Sequence, residues 1–316
     1  MQDQETEGMD EYTRQTKEWL DERFRRTTEE GVYYAHQPIY GLLLGHSEPY
    51  LFERYVRTYQ IMKTLSQIEF SSLLDVGGAE GYKAFMAKRL IGVQAENSDL
   101  SEEACKRAEE VFSIRSTPAD IHSLPFKNDK FDVVLCSETL EHVTDWHKAV
   151  DELLRVARKA VVITVPCESQ EIIDQNFKEK TPHGHIHRFD QDSLGFLESQ
   201  GLQVTAKRIV DSSLNDRVNS LELTLREACE TKEHQNIHAR IRSLALVALG
   251  NLAGKIIMSH MVSKDEKESQ QGKRYNAILF TVLKDKSCIM ARQSCKVSGS
   301  KIVNLAVPFH YLKKSF

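Results

Sequence analysis

The sequence has no apolar run approaching the roughly eighteen residues that a membrane-crossing helix needs. Its longest apolar stretch, "LALVALG" from Leu244 to Gly250, is far too short. The six cysteines are scattered and contain no C-x-x-C pair. That argues against a zinc cluster or a disulfide framework and leaves reduced thiols as the simplest reading. An excess of charge of one sign is also missing: 42 Lys and Arg against 46 Asp and Glu give a formal net charge of −4. Such a balance exerts no overall pull toward nucleic acid or anionic membrane. The opening "MQDQETEGMDEY" is acidic and polar, unlike a secretory or transit peptide, so a cytoplasmic location is expected. No internal repeat is visible.

What remains is a chain of 316 residues, 41% hydrophobic and 28% charged, the composition of a globular protein. Residues 1–70 read as an N-terminal helical cap. "YTRQTKEWLDERF" places Trp19, Leu20 and Phe24 on one side, and "PYLFERYVRTYQIMKTL" is apolar at helical spacing. Between them, "GVYYAHQPIYGLLLG" reads as a packed loop. Its Tyr33, Tyr34, His36 and Tyr40 suit a lid over a site or an aromatic core equally well.

From Ser72 the texture changes. "SLLDVG", "GVQA", "FDVVLC" and "AVVITVP" are short β-branched runs, and amphipathic helices alternate with them. This is the βαβ pattern of an α/β fold: a mostly parallel, Rossmann-like sheet with helices on both faces. Residues 71–210 form that core. Its expected end is the loop "HGHIHRF", a helix "QDSLGFLESQ" and a strand "LQVTAKRIV". A helical insertion over 211–262, suited to core, lid or homodimer contact, precedes the last strand "NAILFTVL" within 263–285. A basic extension over 286–316 follows. Its cations are too spread out to form a nucleic-acid stripe.

"LLDVGGAEG" runs a buried strand into a glycine turn and then a helix, where backbone N–H groups can approach a ligand closely. Asp75 stands at the strand end. Asp99, in "NSDLS", lies about twenty residues on, the usual place of an acid that grips a ribose diol. Glu96 competes for that role, because "GVQAENSDLS" is unusually polar for a strand. Asp120 is a third acid, ahead of a "PF…FD" turn into the next strand.

Together these motifs resemble the class I S-adenosylmethionine-dependent methyltransferases, over about Ser72 to Val210, with "NAILFTVLK" as the closing strand of a seven-stranded sheet. The resemblance implies S-adenosylmethionine as cofactor. It places Asp75, Gly77, Gly78 and Gly81 around the methionine part, Asp99 and Leu100 at the ribose, Asp120 and Ile121 at the adenine, and Ser137 at the end of the next strand. The middle glycine of the family turn is Ala79 here.

"SETLEHV" follows "FDVVLC" directly. If a helix starts there, Glu138, Glu141 and His142 share one face at i, i+3 and i+4. The arrangement is similar to an E-x-x-E-H element in two groups of metal-dependent O-methyltransferases, completed by a later histidine. "PHGHIHRF" offers His183, His185 and His187, and His185 best matches the ligand position. By that resemblance Glu138, Glu141, His142 and His185 would hold a divalent cation. His142, His185 and Glu141 are equally placed for metal-free base catalysis, and a purely structural role also stays open. The expected reaction is methyl transfer to an oxygen of a small-molecule, lipid- or glycan-linked acceptor. The alternatives are 2′-O-methylation of an RNA 3′-terminal ribose, for which no RNA-binding module is visible, and cofactor binding without transfer.

Overall fold

A computed structural model describes residues 10–27, 32–34, 51–210, 256, 259–271, 274–305 and 310–312. His36, Tyr40 and most of the 211–262 insertion lie outside the described residues.

Helix α1 (Glu11–Arg25) starts where the Asp10 carboxylate caps it by accepting from the Thr13 N–H at 2.9 Å. Arg23 and Arg25 in its last turn complement the negative end of the helix dipole. Strand β1 (Val32–Tyr34) lies within the stretch expected to be loop, and α2 (Leu51–Leu65) follows as expected. The α/β core then runs β2 (Ser72–Val76), α3 (Tyr82–Leu90), β3 (Gln94–Asp99), α4 (Glu102–Phe112), β4 (Ser116–Pro118), β5 (Phe131–Ser137), α5 (Trp146–Val156), β6 (Ala157–Pro166), α6 (Gln170–Glu179), β7 (Gln203–Ile209) and β8 (Ala277–Leu283). Two local expectations differ. "QDSLGFLESQ" yields only a 3-10 helix over Gly195–Gln200, and α6 fills a span that had read as loop.

The core sheet has seven strands in the order β4-β3-β2-β5-β6-β8-β7. All pairs are parallel except the two made by β8, which runs antiparallel between β6 and β7. Every residue of β5 and β8 is buried, which explains why the central strands read as unbroken apolar runs. Leu73, Val133 and Val162 pack on one face with α2 and α3, whereas Leu74, Val134 and Val161 pack on the other with α5. Each such side chain contributes about 1.5–3 kcal/mol of burial. Strand β9 (His310–Leu312) pairs with β1 as a separate two-stranded sheet. The five described cysteines are free thiols, and no helix among the described residues is long and apolar enough to cross a membrane.

The chain leaves β2 toward β3 on one side and toward β5 on the other, so a crevice opens beyond the carboxyl ends of β2 and β5. Ligands bind at such switch points in open α/β sheets. The site lies there.

Candidate active site

The glycine turn is built from β2 and β3 together. Gly77 N–H donates to the Ser98 carbonyl at 2.8 Å, and Asn97 Nδ2 donates to the Ala79 carbonyl at 3.0 Å and to Ser116 Oγ at 2.9 Å. Ser98 Oγ reaches the Thr117 carbonyl at 2.9 Å. The polarity of β3 thus has a structural cause: its side chains hold the turn and the short edge strand β4. Gly77 has φ +68°, and a Cβ there would meet Thr139 Oγ1 at 2.3 Å. Ala79, in the place of the family's middle glycine, adopts φ +47° and carries a left-handed strain that glycine would not.

Asp99 ends β3 and lines a cleft of about 80 Å³ together with Val76, Gly77, Ala79, Leu100, Asp120 and Ile121. Its Oδ2 accepts from Ala79 N–H at 2.8 Å and its Oδ1 from Ser101 N–H at 2.9 Å. Burial nevertheless pushes its pKa up to about 6, with Glu80 and Asp21 adding to the rise. Glu96 sits mid-strand opposite Leu74, facing Lys130 at 3.5 Å and Arg115 at 3.9 Å, so the competing acid stands away from the cleft. Asp120 spends Oδ1 on the backbone N–H and the Nδ1 of His122, at 2.9 and 2.6 Å. His122 also lines the cleft, and no motif in the sequence marks it.

Asp75 is completely buried, and neither of its oxygens has a hydrogen-bond partner among the described residues. Burial pushes its pKa up to about 6, against the pull of Lys83. Gly81 caps α3 at φ +74°, and Gly78 packs against Asn97 and Asp75. The Ser137 hydroxyl is turned into the sheet, 2.7 Å from Thr164 Oγ1.

The roof of the cleft is α1, which lines it with Thr13, Thr16, Leu20 and Phe24. This helix is fastened at both ends. Asp10 Oδ2 accepts from Thr144 Oγ1 at 2.8 Å; at the other end Asp21 Oδ1 accepts from Ser101 Oγ at 2.6 Å, and Lys17 Nζ lies 2.9 Å from Glu102.

The expected helix over "SETLEHV" is not formed. Glu138 has φ +57°, and only Leu140–His142 makes a single 3-10 turn. Glu138 is held instead by long-range partners: Arg57 Nη1 of α2 at 2.9 Å and Thr164 Oγ1 of β6 at 3.0 Å. It lines the cleft but stands outside the one group of three or more His, Cys, Asp or Glu whose geometry suits a cation among the described residues. That group is Glu141, His142 and His185, each with one ligand atom within 4.8 Å of the others'.

The histidine loop is zipped onto this turn. Ile186 N–H donates to the Glu141 carbonyl at 2.8 Å, His142 Nδ1 to the Gly184 carbonyl at 3.1 Å and His187 Nε2 to the Val143 carbonyl at 2.7 Å. A carbonyl only accepts, so Nδ1 of His142 carries its proton and Nε2 keeps a lone pair when the ring is neutral. Burial, with His183 and His185 nearby, holds the His142 pKa well below the usual histidine range. His183 stacks between His142 (3.7 Å between ring centroids) and Trp19 of α1 (5.4 Å). His185 Nδ1 donates to Glu168 Oε1 at 3.0 Å, which turns Nε2 free. Glu168 is a lone acid in the loop before α6, a context that carries no signal in the sequence. The Glu141 carboxylate is fully buried with both oxygens unpartnered among the described residues; burial and then Glu138 raise its pKa well above the carboxylate range.

The methyltransferase domain family matches residues 74–165. Norajmaline N-methyltransferase of Rauvolfia serpentina is 30% identical over 101 residues, 30% of this chain and 35% of that one. The uncharacterized methyltransferase YcgJ of Bacillus subtilis is 33% identical over 93 residues, 28% of this chain and 36% of that one. The alignments therefore span about a third of each curated relative. Geranyl diphosphate C-methyltransferase from Streptomyces coelicolor, solved with Mg²⁺, geranyl diphosphate and S-adenosyl-L-homocysteine, superposes with a TM-score of 0.50 at 15% identity. That superposition covers 87% of this chain and 98% of the other, a likeness of fold alone. The glycine turn and Asp99 thus lie within residues 74–165, the stretch over which the chain is similar to the methyltransferase domain family.

Proposed function

We propose that the protein transfers a methyl group from S-adenosylmethionine to an oxygen of a small-molecule, lipid- or glycan-linked acceptor, at a site that uses a divalent cation. The observation that carries the second half is Glu141: a fully buried carboxylate without a hydrogen-bond partner among the described residues, within 4.8 Å of ligand atoms of His142 and His185. Burial makes the ionised form of Glu141 costly, and a cation beside it would relieve that cost and favour the carboxylate. The mixed oxygen and nitrogen donor set suits Mg²⁺, Mn²⁺, Fe²⁺ or Zn²⁺.

The cofactor supplies an electrophilic methyl group, and a cation held by Glu141, His142 and His185 would lower the pKa of an acceptor hydroxyl. The residues of the chain do the positioning. Gly77, Leu100 and Ile121 shape the nucleoside cleft and Asp99 stands at its ribose end. His142 joins the two parts of the site, because it lines the cleft and belongs to the metal-ligating group. A rigid frame of this kind favours an in-line displacement mainly through orientation. Roofing by α1 keeps water from the reacting groups.

Calorimetric titration with S-adenosylhomocysteine, followed by Mn²⁺, tests the reading. Micromolar nucleoside binding and metal uptake abolished by Glu141→Gln and His185→Ala, but kept by Glu138→Gln, are expected. Nucleoside binding with no metal uptake would return the cluster to a metal-free role, with His142 Nε2 as base.

A further inference from the structure

A column of rings runs from α1 to the histidine cluster. Leu20 and Phe24 of α1 line the nucleoside cleft. Trp19 instead lays its indole on His183, with ring centroids 5.4 Å apart and planes inclined by 28°. The Arg23 guanidinium sits over the same indole at 5.3 Å. His183 in turn lies almost flat on His142, at 3.7 Å and 19°. His183 holds this place at φ +54°, a left-handed conformation that strains any residue with a Cβ. Such strain persists where the surroundings over-determine it, and it clusters at functional sites.

His142 needs a partner of this kind. The hydrogen bond from its Nδ1 to the Gly184 carbonyl, at 3.1 Å, leaves the ring able to rock about that bond. His183 against its face and His185 edge-on at 4.8 Å and 62° remove that freedom. Nε2 is thereby held 3.6 Å from Glu141 Oε1. Tyr12 of α1 donates to the same Gly184 carbonyl at 3.3 Å. The roof helix thus touches both groups that orient the His142 ring.

We propose that Trp19 and His183 are positioning residues for His142: the indole of α1 presses His183 flat against the His142 ring, so that the roof of the cleft also sets the direction of the His142 Nε2 lone pair. The proposal rests on the reading in which His142 faces the reacting groups, as cation ligand or as base. It gives a role to an aromatic residue outside both the cleft lining and the metal-ligating group.

The test reads the His142 imidazole directly, by long-range ¹H–¹⁵N correlation spectra of the metal-free protein at pH 7, with the signal assigned by its loss in His142→Gln. Burial and the neighbouring histidines keep the ring neutral there, so wild type is expected to show one tautomer, protonated at Nδ1. Trp19→Ala and His183→Ala are expected to show averaged tautomers, and Trp19→Phe and His183→Phe to restore the single one. Mn²⁺ affinity is expected to fall about 10–100-fold in both alanine variants and to recover in the phenylalanine variants. Cooperative thermal unfolding reports that each variant is folded. A single Nδ1 tautomer kept by either alanine variant overturns the proposal. So do mixed tautomers in wild type, or a loss that phenylalanine does not restore. A wild-type protein that takes up no Mn²⁺ while its tautomers behave as expected overturns the metal half of the proposed function and leaves the positioning role standing.

Discussion

Oε1 of Glu168 accepts a hydrogen bond from Nδ1 of His185 at 3.0 Å, and that contact decides which ring nitrogen is left for the space shared with Glu141 and His142. The acid comes from the loop after β6 and the histidine from the loop after α6, so the contact also pins two loops together. Partners of this kind tune ligand histidines through tautomer and orientation.

Removing that contact should show in metal affinity before it shows in folding. Glu168→Ala is expected to weaken Mn²⁺ binding about 10–100-fold, while Glu168→Gln, which can still accept from Nδ1, keeps most of it. Metal titration followed by paramagnetic resonance measures this. Equal affinities for all three proteins would remove Glu168 from any positioning role.

The left-handed residues of the glycine turn predict stability changes of opposite sign. Ala79→Gly is expected to stabilise the chain by about 0.5–1 kcal/mol, the relieved strain outweighing the looser unfolded chain. Gly77→Ala should cost about 1–3 kcal/mol, because it adds the same strain and drives a methyl group into Thr139. Urea unfolding resolves both.

Asp21 fastens the end of α1 by accepting from Ser101 Oγ at 2.6 Å and from Lys17 Nζ at 3.0 Å. Asp21→Ala is expected to lower stability by about 1–2 kcal/mol and to speed release of S-adenosylhomocysteine, since the roof of the cleft is released. Stopped-flow fluorescence follows the exchange, with Trp19 of α1 as the reporter. An unchanged off-rate would mean that the roof does not limit exchange.

Acid titration gives a fourth prediction. Asp75 and Asp99 have folded pKa values pushed up to about 6 from 3.8, by burial in the first place. Between those values the folded chain holds protons that the unfolded chain has released. Their contribution to stability is therefore full below about pH 4 and is lost as the pH rises through about 6. Asp75→Asn should flatten part of that decline in thermal unfolding of the ligand-free protein between pH 4 and 7. A slope identical to wild type would place the decline elsewhere.

The sequence made the frame legible because the frame is local. "LLDVGGAEG" and "FDVVLC" carry their burial in their own apolar content, and the spacing from Asp75 to Asp99 is fixed by one intervening helix. The histidine side of the candidate site was legible only in part. Glu141, His142 and His185 do converge, but the helix expected to present them gives way to a strained Glu138 and one 3-10 turn. The cause is remote: Arg57 lies far back in α2 and Thr164 on the next strand, and no window around Glu138 contains either. Glu168 and His122 escaped for the same reason, since each acquires its place from a partner that only the fold supplies.

The antiparallel course of β8 has a consequence for how this scaffold can diversify. Ile209 at the end of β7 pairs with Ala277 at the start of β8, and Ala277 also pairs with Pro166 at the end of β6. The chain between Ile209 and Ala277 therefore departs from and returns to the rim of the sheet that carries the cleft. Its two anchor points are hydrogen-bonded neighbours, so the length of the chain between them can change without altering the strand register that sets Asp75 and Asp99, provided that Met261 and Val262 keep their places in the core and Asp265 its contact with Gln60.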